Sequence, residues 1–528
     1  MDFLLIWDYK SNQALQLTES QKLESTRQLI LQDDSRARIV DNLESTLVWL
    51  GDLVLPEGYA SEARFFHDLG KDFDPKKVLT AGGHFYCLFY QKQKQELHVL
   101  TGFAGILPVY YTLTSREVFI SSTPERILQA SGLKPQISSR FLVEKILFNY
   151  PLFQHTLFRD IWLLPCHHMM QLTNTLHVKR YFNPEFLLHK EPEGIRASLT
   201  KLSRVFRTRL HRYWPGTNFA LSFTGGFDGR TLLSCALNDN REFITYSFGA
   251  SDSRDLTLPG QQAGKLNVTF SPFYLDNQEY IGNSLLYGQE FVERSAGMAD
   301  MARAHYVYGV KKLAQNTSYL VTGNFGSELF RAMHLTGEMI AYPTYLIFAL
   351  NKPGKVIEEI KKSDAYKALN PLIFEEVEEG LMHDLNTFYE GKWGHLSLNK
   401  RFYMFVLEEV FRKYFGPEIT IQSKYLINRT PFLDFQFVEE LFSSQLAGIY
   451  NDFYQHNPVK RKRGQLLYAR IIKDTHRQLY RMKTGKGYAP RDVLHPLGNL
   501  KLAGNLIKKK LISPTDANDP FCVKKAFV

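Results

Sequence analysis

The residues of this chain best suited to chemistry are Thr224, Gly225, Gly226, Asp228 and Gly229, set between the apolar run Phe219-Ala220-Leu221-Ser222-Phe223 and the segment Arg230-Thr231-Leu232-Leu233. The pattern reads as a short strand, a tight turn and the start of a helix. Two adjacent glycines in such a turn let the backbone pass close to a ligand with its N–H groups turned outward. Those groups and the positive end of the helix dipole make an anion site. Asp228 would repel a bare anion there, so the fitting guest is a polyphosphate that arrives with magnesium, and Asp228 is the candidate metal ligand. The plain alternative is an ordinary glycine turn in an α/β domain.

The elements that must position this turn follow from the pattern on either side. From about residue 191, helical periods alternate with short strands, which implies a doubly wound α/β domain with its ligand at the carboxyl ends of the strands. Residues 195–214 read as an amphipathic helix, 243–249 as a second strand, 261–266 as a helix and 268–272 as a third strand. Between residues 80 and 185 the chain instead reads as many short strands (85–90, 97–100, 109–112 and 118–121), with a turn into a helix at 124–129. That is the pattern of antiparallel sheets packed face to face. The expected organisation is an N-terminal domain over 1–190 and a second over 191–528.

Composition narrows the classes. At 528 residues, two or three domains are expected. Hydrophobic residues at 44% and aromatics at 14% exclude general disorder. No run approaches the roughly 18 apolar residues of a membrane span, and Asp2 and Asp8 flank a start too short for a signal peptide. Cys87, Cys166, Cys235 and Cys522 show no paired spacing, so neither disulfides nor zinc are expected, and a cytoplasmic setting fits. The net charge of +10 is concentrated in Lys460-Arg461-Lys462-Arg463 and Lys508-Lys509-Lys510. Neither run lies in a nucleic-acid module, so both are read as solvated basic faces; no nucleic-acid or membrane partner is expected.

The glycine turn lacks the Lys-Ser/Thr ending of the Walker loop and resembles the Ser-Gly-Gly-x-Asp-Ser pyrophosphate loop of the ATP pyrophosphatases. Thr224 keeps the first hydroxyl, whereas Gly229 replaces the last serine. Further segments resemble the asparagine synthetase family. Thr101-Gly102-Phe103-Ala104-Gly105-Ile106-Leu107-Pro108-Val109-Tyr110-Tyr111 is similar to its Arg-Asp-x-x-Gly-x-x-Pro-Leu-Tyr-Tyr, with Thr101-Gly102 in place of Arg-Asp, and Ser121-Ser122-Thr123-Pro124-Glu125-Arg126-Ile127-Leu128 to its Ala-Ser-Glu-x-Lys-Ala-Leu. The stretches 156–165 and 180–184 are similar to the close and exit of its glutaminase domain. Gly323-Asn324-Phe325-Gly326-Ser327-Glu328 resembles Gly-x-Gly-x-Asp-Glu, with Ser327 in the place of a magnesium-binding aspartate. Arg429-Thr430-Pro431-Phe432-Leu433-Asp434 matches Arg-x-Pro-Phe-Leu-Asp, read physically as a proline-started helix with an acid in its first turn. Arg481-Met482-Lys483-Thr484-Gly485-Lys486-Gly487-Tyr488 resembles a flexible closing loop whose lysine neutralises phosphate.

The resemblance implies an N-terminal antiparallel β-sandwich (Ntn-hydrolase-like) and an ATP-pyrophosphatase-type α/β domain with a helical C-terminal part. It implies an ATP- and Mg2+-dependent ligase that adenylates a carboxylate, aspartate by default, and joins it to an amine. The carboxylate is a small molecule or a peptide, and a homodimer is compatible with the family. Thr224, Gly225, Gly226, Gly229 and Gly323 would bind nucleotide, and Asp228 both nucleotide and metal. Glu328 would act on the amine, with Lys486 or Lys483 on the phosphates. The family's glutaminase uses a cysteine directly after the initiator methionine, and Asp2 stands there, so no glutamine hydrolysis is expected. Two other readings remain open: a ring-closing or peptide-modifying relative of the β-lactam synthetase or lasso-peptide cyclase type, and a non-catalytic nucleotide-binding descendant.

Overall fold

The computed structural model describes residues 1–18, 27–32, 36–331, 333, 336–391 and 393–498; Cys522 and the lysines 508–510 lie outside the described residues. In chain order the first strands are β1 (Asp2–Asp8), β2 (Gln16–Thr18), β3 (Arg27–Gln32), β4 (Ala37–Asp41), β5 (Ser45–Gly51), β6 (Phe85–Gln91), β7 (Glu96–Thr101), β8 (Tyr110–Leu113), β9 (Glu117–Ser121), β10 (Trp162–Leu163), β11 (His168–Leu172) and β12 (Leu176–Arg180). They form two six-stranded sheets, ordered β10-β8-β9-β1-β3-β2 and β12-β11-β7-β6-β5-β4. One edge departs from the antiparallel expectation: β2 runs parallel to β3, with Gln16 opposite Gln28. The pleat alternates alike in both directions, so a strand's own pattern does not reveal its sense.

Several strands read as unbroken apolar runs because both of their faces are covered. Phe3, Leu5 and Trp7 of β1 pack against Val48, Leu50, Tyr86, Leu88 and Tyr90 of the other sheet. Leu4 and Ile6 turn outward to Ile127 of the helix Pro124–Ser131. On the far side, Phe85, Cys87 and Phe89 of β6 meet Phe65, Phe66 and Leu69 of the helix Glu62–Lys71. The layers therefore run helix, sheet, sheet, helix. Between residues 80 and 185, where the pattern offered one helix at 124–129, the chain forms a second, Ser139–Phe148.

β13 (Phe219–Ser222), β14 (Phe243–Gly249), β15 (Phe270–Tyr274), β16 (Tyr319–Val321) and β17 (Ile427–Arg429) form an all-parallel sheet ordered β15-β14-β13-β16-β17. The helix Phe227–Asn238 joins β13 to β14, and the helix Arg254–Leu266 joins β14 to β15. The second begins seven residues before the sequence pattern placed it, because Pro259 reads as a break yet is accommodated inside the helix. Strand order reverses between β13 and β16, and such a switch point leaves a crevice outside the carboxyl ends of the strands.

A π-helix, Val406–Phe415, fastens the parallel-sheet half to the first half. Arg412 donates to the Leu164 carbonyl at 2.6 Å and Lys413 to that of Phe153 at 2.6 Å. Glu409 accepts from the Phe153 N–H at 3.0 Å. Glu408 lies 3.3 Å from His167 Nδ1 and accepts from Arg180. Burial alone would raise the Glu408 carboxyl, but the His167 and Arg180 hydrogen bonds bring it down to about 2. A further buried pair, Arg429 with Asp52 at 2.8 and 3.0 Å, spans the same junction.

Candidate functional site

β13 ends at Ser222, and the turn after it is shaped by Gly225, whose φ of +76° favours glycine. Gly226 caps the helix Phe227–Asn238, which places Asp228 in its first turn. A Cβ at Gly229 would lie 2.4 Å from the Ser222 carbonyl oxygen. The glycine there, read from sequence as a lost hydrogen-bonding serine, is a packing requirement of this backbone.

β16 ends in a second turn that meets the first through Asp228. A Cβ at Gly323 would lie 2.9 Å from the Asp228 Cβ, and one at Gly326 2.9 Å from its Oδ1. Between them the buried Phe325 adopts a φ of 70°, uncommon for an aromatic residue, and it is held by Phe411 and Phe415 of the π-helix. The Asp228 carboxylate accepts from Ser327 Oγ at 3.0 and 2.9 Å and from the hydroxyl of Tyr468. Ser327, in the place of the family's aspartate, thus contacts Asp228 directly. The single Ser327 proton is shared between the two oxygens while Tyr468 donates to Oδ1, so Oδ2 is the less engaged of the two.

Glu328 adjoins Asp228. Loss of surrounding water, with the Asp228 charge beside it, pushes its carboxyl up to about 7 against the pull of Arg331. Arg331, at the end of the same short helix, is half-buried; burial disfavours its charge, but Asp228, Tyr468 and Glu328 restore it.

Residues 481–488, expected as a flexible loop, form a hydrogen-bonded turn. Thr484 N–H donates to the Tyr488 carbonyl and Gly487 N–H to that of Thr484, each at 2.9 Å. The Tyr488 hydroxyl donates to Gln465 Oε1 at 2.8 Å. A cavity of about 260 Å³ lies between this turn and the glycine turn, lined by Thr224, Gly226, Asp228, Arg331, Tyr468 and Lys486 among others. Gly225, Gly229, Gly323 and Glu328 adjoin it without lining it. The Lys483 side chain is exposed and outside the lining, while its carbonyl accepts from Arg230 and Gln262.

Arg331, Tyr468, Asp255 and Gln465 also reach the cavity and were not foreseen. Arg331 alone left a sequence signal, a cation three residues after Glu328 and so on the same helical face. Among the described residues no group of three or more His, Cys, Asp or Glu side chains could hold a metal. The donor set fits magnesium brought in with a polyphosphate, since that ion keeps its waters and needs few protein carboxylates.

In the other half, Asp2 opens β1 and accepts from Ser122 Oγ at 3.3 Å. Cys87, Cys166 and Cys235 are all buried, and burial pushes each thiol upward. No described cysteine is therefore poised as a thiolate nucleophile.

Residues 64–182 match the glutamine amidotransferase domain family. The match begins after β5 and ends after β12, so it includes neither Asp2 nor the parallel sheet. The N-terminal half accordingly carries an amidotransferase-like domain. Comparison with curated proteins gives no match. Among solved structures, glutamine phosphoribosylpyrophosphate amidotransferase from B. subtilis, complexed with ADP and GMP, is similar at 9% identity over 62% of this chain and 71% of that chain, with a TM-score of 0.19.

Proposed function

We propose that this chain is an ATP-dependent amide-forming ligase of the asparagine synthetase kind that lacks a glutaminase of its own. The observation that carries the reading is the convergence, at the switch point of a parallel sheet, of a glycine turn, Asp228, Arg331 and Lys486 around one cavity. Bound Mg-ATP would supply an adenylyl group to a carboxylate and pyrophosphate as leaving group. Thr224, the backbone N–H groups of the glycine turn and Lys486 would hold the outer phosphates, with Asp228 on the magnesium. Tyr468 and Ser327 orient that carboxylate, so little reorganisation is left for the reacting state, where fixed charges act most strongly. Glu328 would take a proton from the incoming amine. Because Asp2 provides no thiol, the amine comes from solution or from the substrate itself, and the second origin would suit a ring-closing or peptide-modifying enzyme.

Pyrophosphate exchange into ATP, screened over amino-acid and peptide carboxylates with and without an internal amine, tests the reading; exchange with none of them would leave a nucleotide-binding protein without ligase activity. In the same assay Lys486→Ala is expected to lower turnover about 100-fold with a smaller rise in the Michaelis constant for ATP, the pattern of an interaction made mainly in the transition state. Lys483→Ala is expected to stay near wild type, since its side chain lies outside the cavity lining. The reverse result would transfer the role to Lys483.

Glu328 gives a pH dependence with a definite sign. As a base it must be ionised, so ligation should fall as pH drops through about 7, and Glu328→Gln should remove that limb along with most activity. Stability runs the other way. Between the ordinary value of 4.5 and about 7 the native carboxyl keeps a proton that the unfolded chain has released, so its contribution weakens as pH rises through that window. Denaturant titrations should therefore show Glu328→Gln gaining stability over wild type at pH 8 and not at pH 4.5.

A further inference from the structure

Arg230 follows the glycine turn and is completely buried, yet among the described residues no carboxylate pairs with it. Its Nη2 donates to the Gly225 carbonyl at 3.3 Å, to Gln262 Oε1 at 2.6 Å and to the Lys483 carbonyl at 3.2 Å. Gln262, from the helix Arg254–Leu266, then donates through Nε2 to the same Lys483 carbonyl at 2.7 Å. Nε and Nη1 of Arg230 find no partner among the described residues. A buried guanidinium left without a counter-ion is costly, and burial lowers its pKa to about 10. One nitrogen of this costly group thus grips both sides of the cavity: the turn that would seat phosphate and the turn that carries Lys486.

We propose that Arg230 is a positioning residue that, with Gln262, locks the closed position of the 483–488 turn to the shape of the glycine turn. Gly225 lies at positive φ, so its carbonyl points where it does only while the turn holds that conformation. Released from Gly225, Nη2 would re-aim and slacken its hold on the Lys483 carbonyl, and Lys486, three residues on, would leave the cavity rim. The two turns, 253 residues apart at Arg230 and Lys483, therefore open and close as one unit. The coupling is geometric; its bearing on turnover rests on the ligase reading above.

Trypsin cleavage after Lys483 and Lys486 in the full chain, followed by mass spectrometry beside thermal unfolding, tests the coupling without any need for activity. Gln262→Glu is the discriminating variant. It keeps an acceptor for Arg230 and supplies the missing counter-charge, but it loses the donor to Lys483 and sets a carboxylate against that carbonyl. Cleavage in the turn should rise about tenfold, the scale of one lost hydrogen bond, with the melting temperature unchanged or higher. Arg230→Met should open the turn at least as far, at a lower melting temperature; where it does not fold, Gln262→Glu carries the test alone. Wild-type cleavage in Gln262→Glu would overturn the proposal. Faster cleavage together with no pyrophosphate exchange in wild type would uphold the coupling and sink the ligase reading.

Discussion

Replacing Asp228 with asparagine is expected to lower turnover in pyrophosphate exchange by about 100-fold or more, about 3 kcal/mol, while the protein keeps its melting temperature. Asparagine retains an oxygen that can accept from Ser327 and Tyr468, so the contacts that join the two turns survive. What disappears is the negative charge, and with it the carboxylate that would hold a magnesium ion beside the glycine turn. A second readout separates loss of the metal from general damage. The Asp228 charge is among the causes that hold the Glu328 carboxyl up, so the acid limb of the residual activity should move to lower pH. Near-normal turnover at saturating magnesium would remove Asp228 from the metal role.

The largest expected loss of stability comes from a residue with no part in the chemistry. Asp434, 1% exposed, accepts from Arg209 Nε and Nη2 at 3.0 Å each, from the Tyr213 hydroxyl at 3.2 Å, and from the Phe437 N–H at 2.9 Å. Asp434→Ala strands the buried Arg209 and uncaps the helix Phe435–Phe442, and is expected to lower the free energy of unfolding by about 3–5 kcal/mol. Glu57, 3.6 Å from Arg209 Nη1, is too exposed to compensate fully. Urea unfolding measures the difference. A loss below about 1 kcal/mol would mean that Arg209 re-pairs with Glu57 at no penalty.

What the chain's pattern revealed, and what it hid, divides along the range of the interactions concerned. The strand, glycine turn and helix at 219–238 could be read in advance because each is specified locally, by an apolar run, a glycine pair and a helical period. Asp434 was placed in the first turn of a proline-started helix. In fact Pro431–Leu433 is a separate 3-10 turn and Asp434 caps the helix that follows, a boundary error of the kind a local pattern cannot avoid. β1, an unbroken apolar run like β6, went unread as a strand. Tyr468, Gln465 and Gln262 reach the cavity region only through packing of distant helices, so no spacing in the chain announces them. The π-helix is hidden for a different reason, since its residues alone look like those of an ordinary amphipathic helix.

That π-helix also bears on what holds the two halves together. Glu408, Arg412 and Lys413 belong by chain position to the parallel-sheet half, but their partners, His167, Arg180, and the carbonyls of Phe153 and Leu164, belong to the other. Deleting the amidotransferase-like half would leave three ionised side chains facing water at a surface built to be dry, with Phe325 and its turn resting on the same helix. The amidotransferase-like half is thus a chassis as well as a domain: it supplies the floor on which the Phe325 turn is mounted.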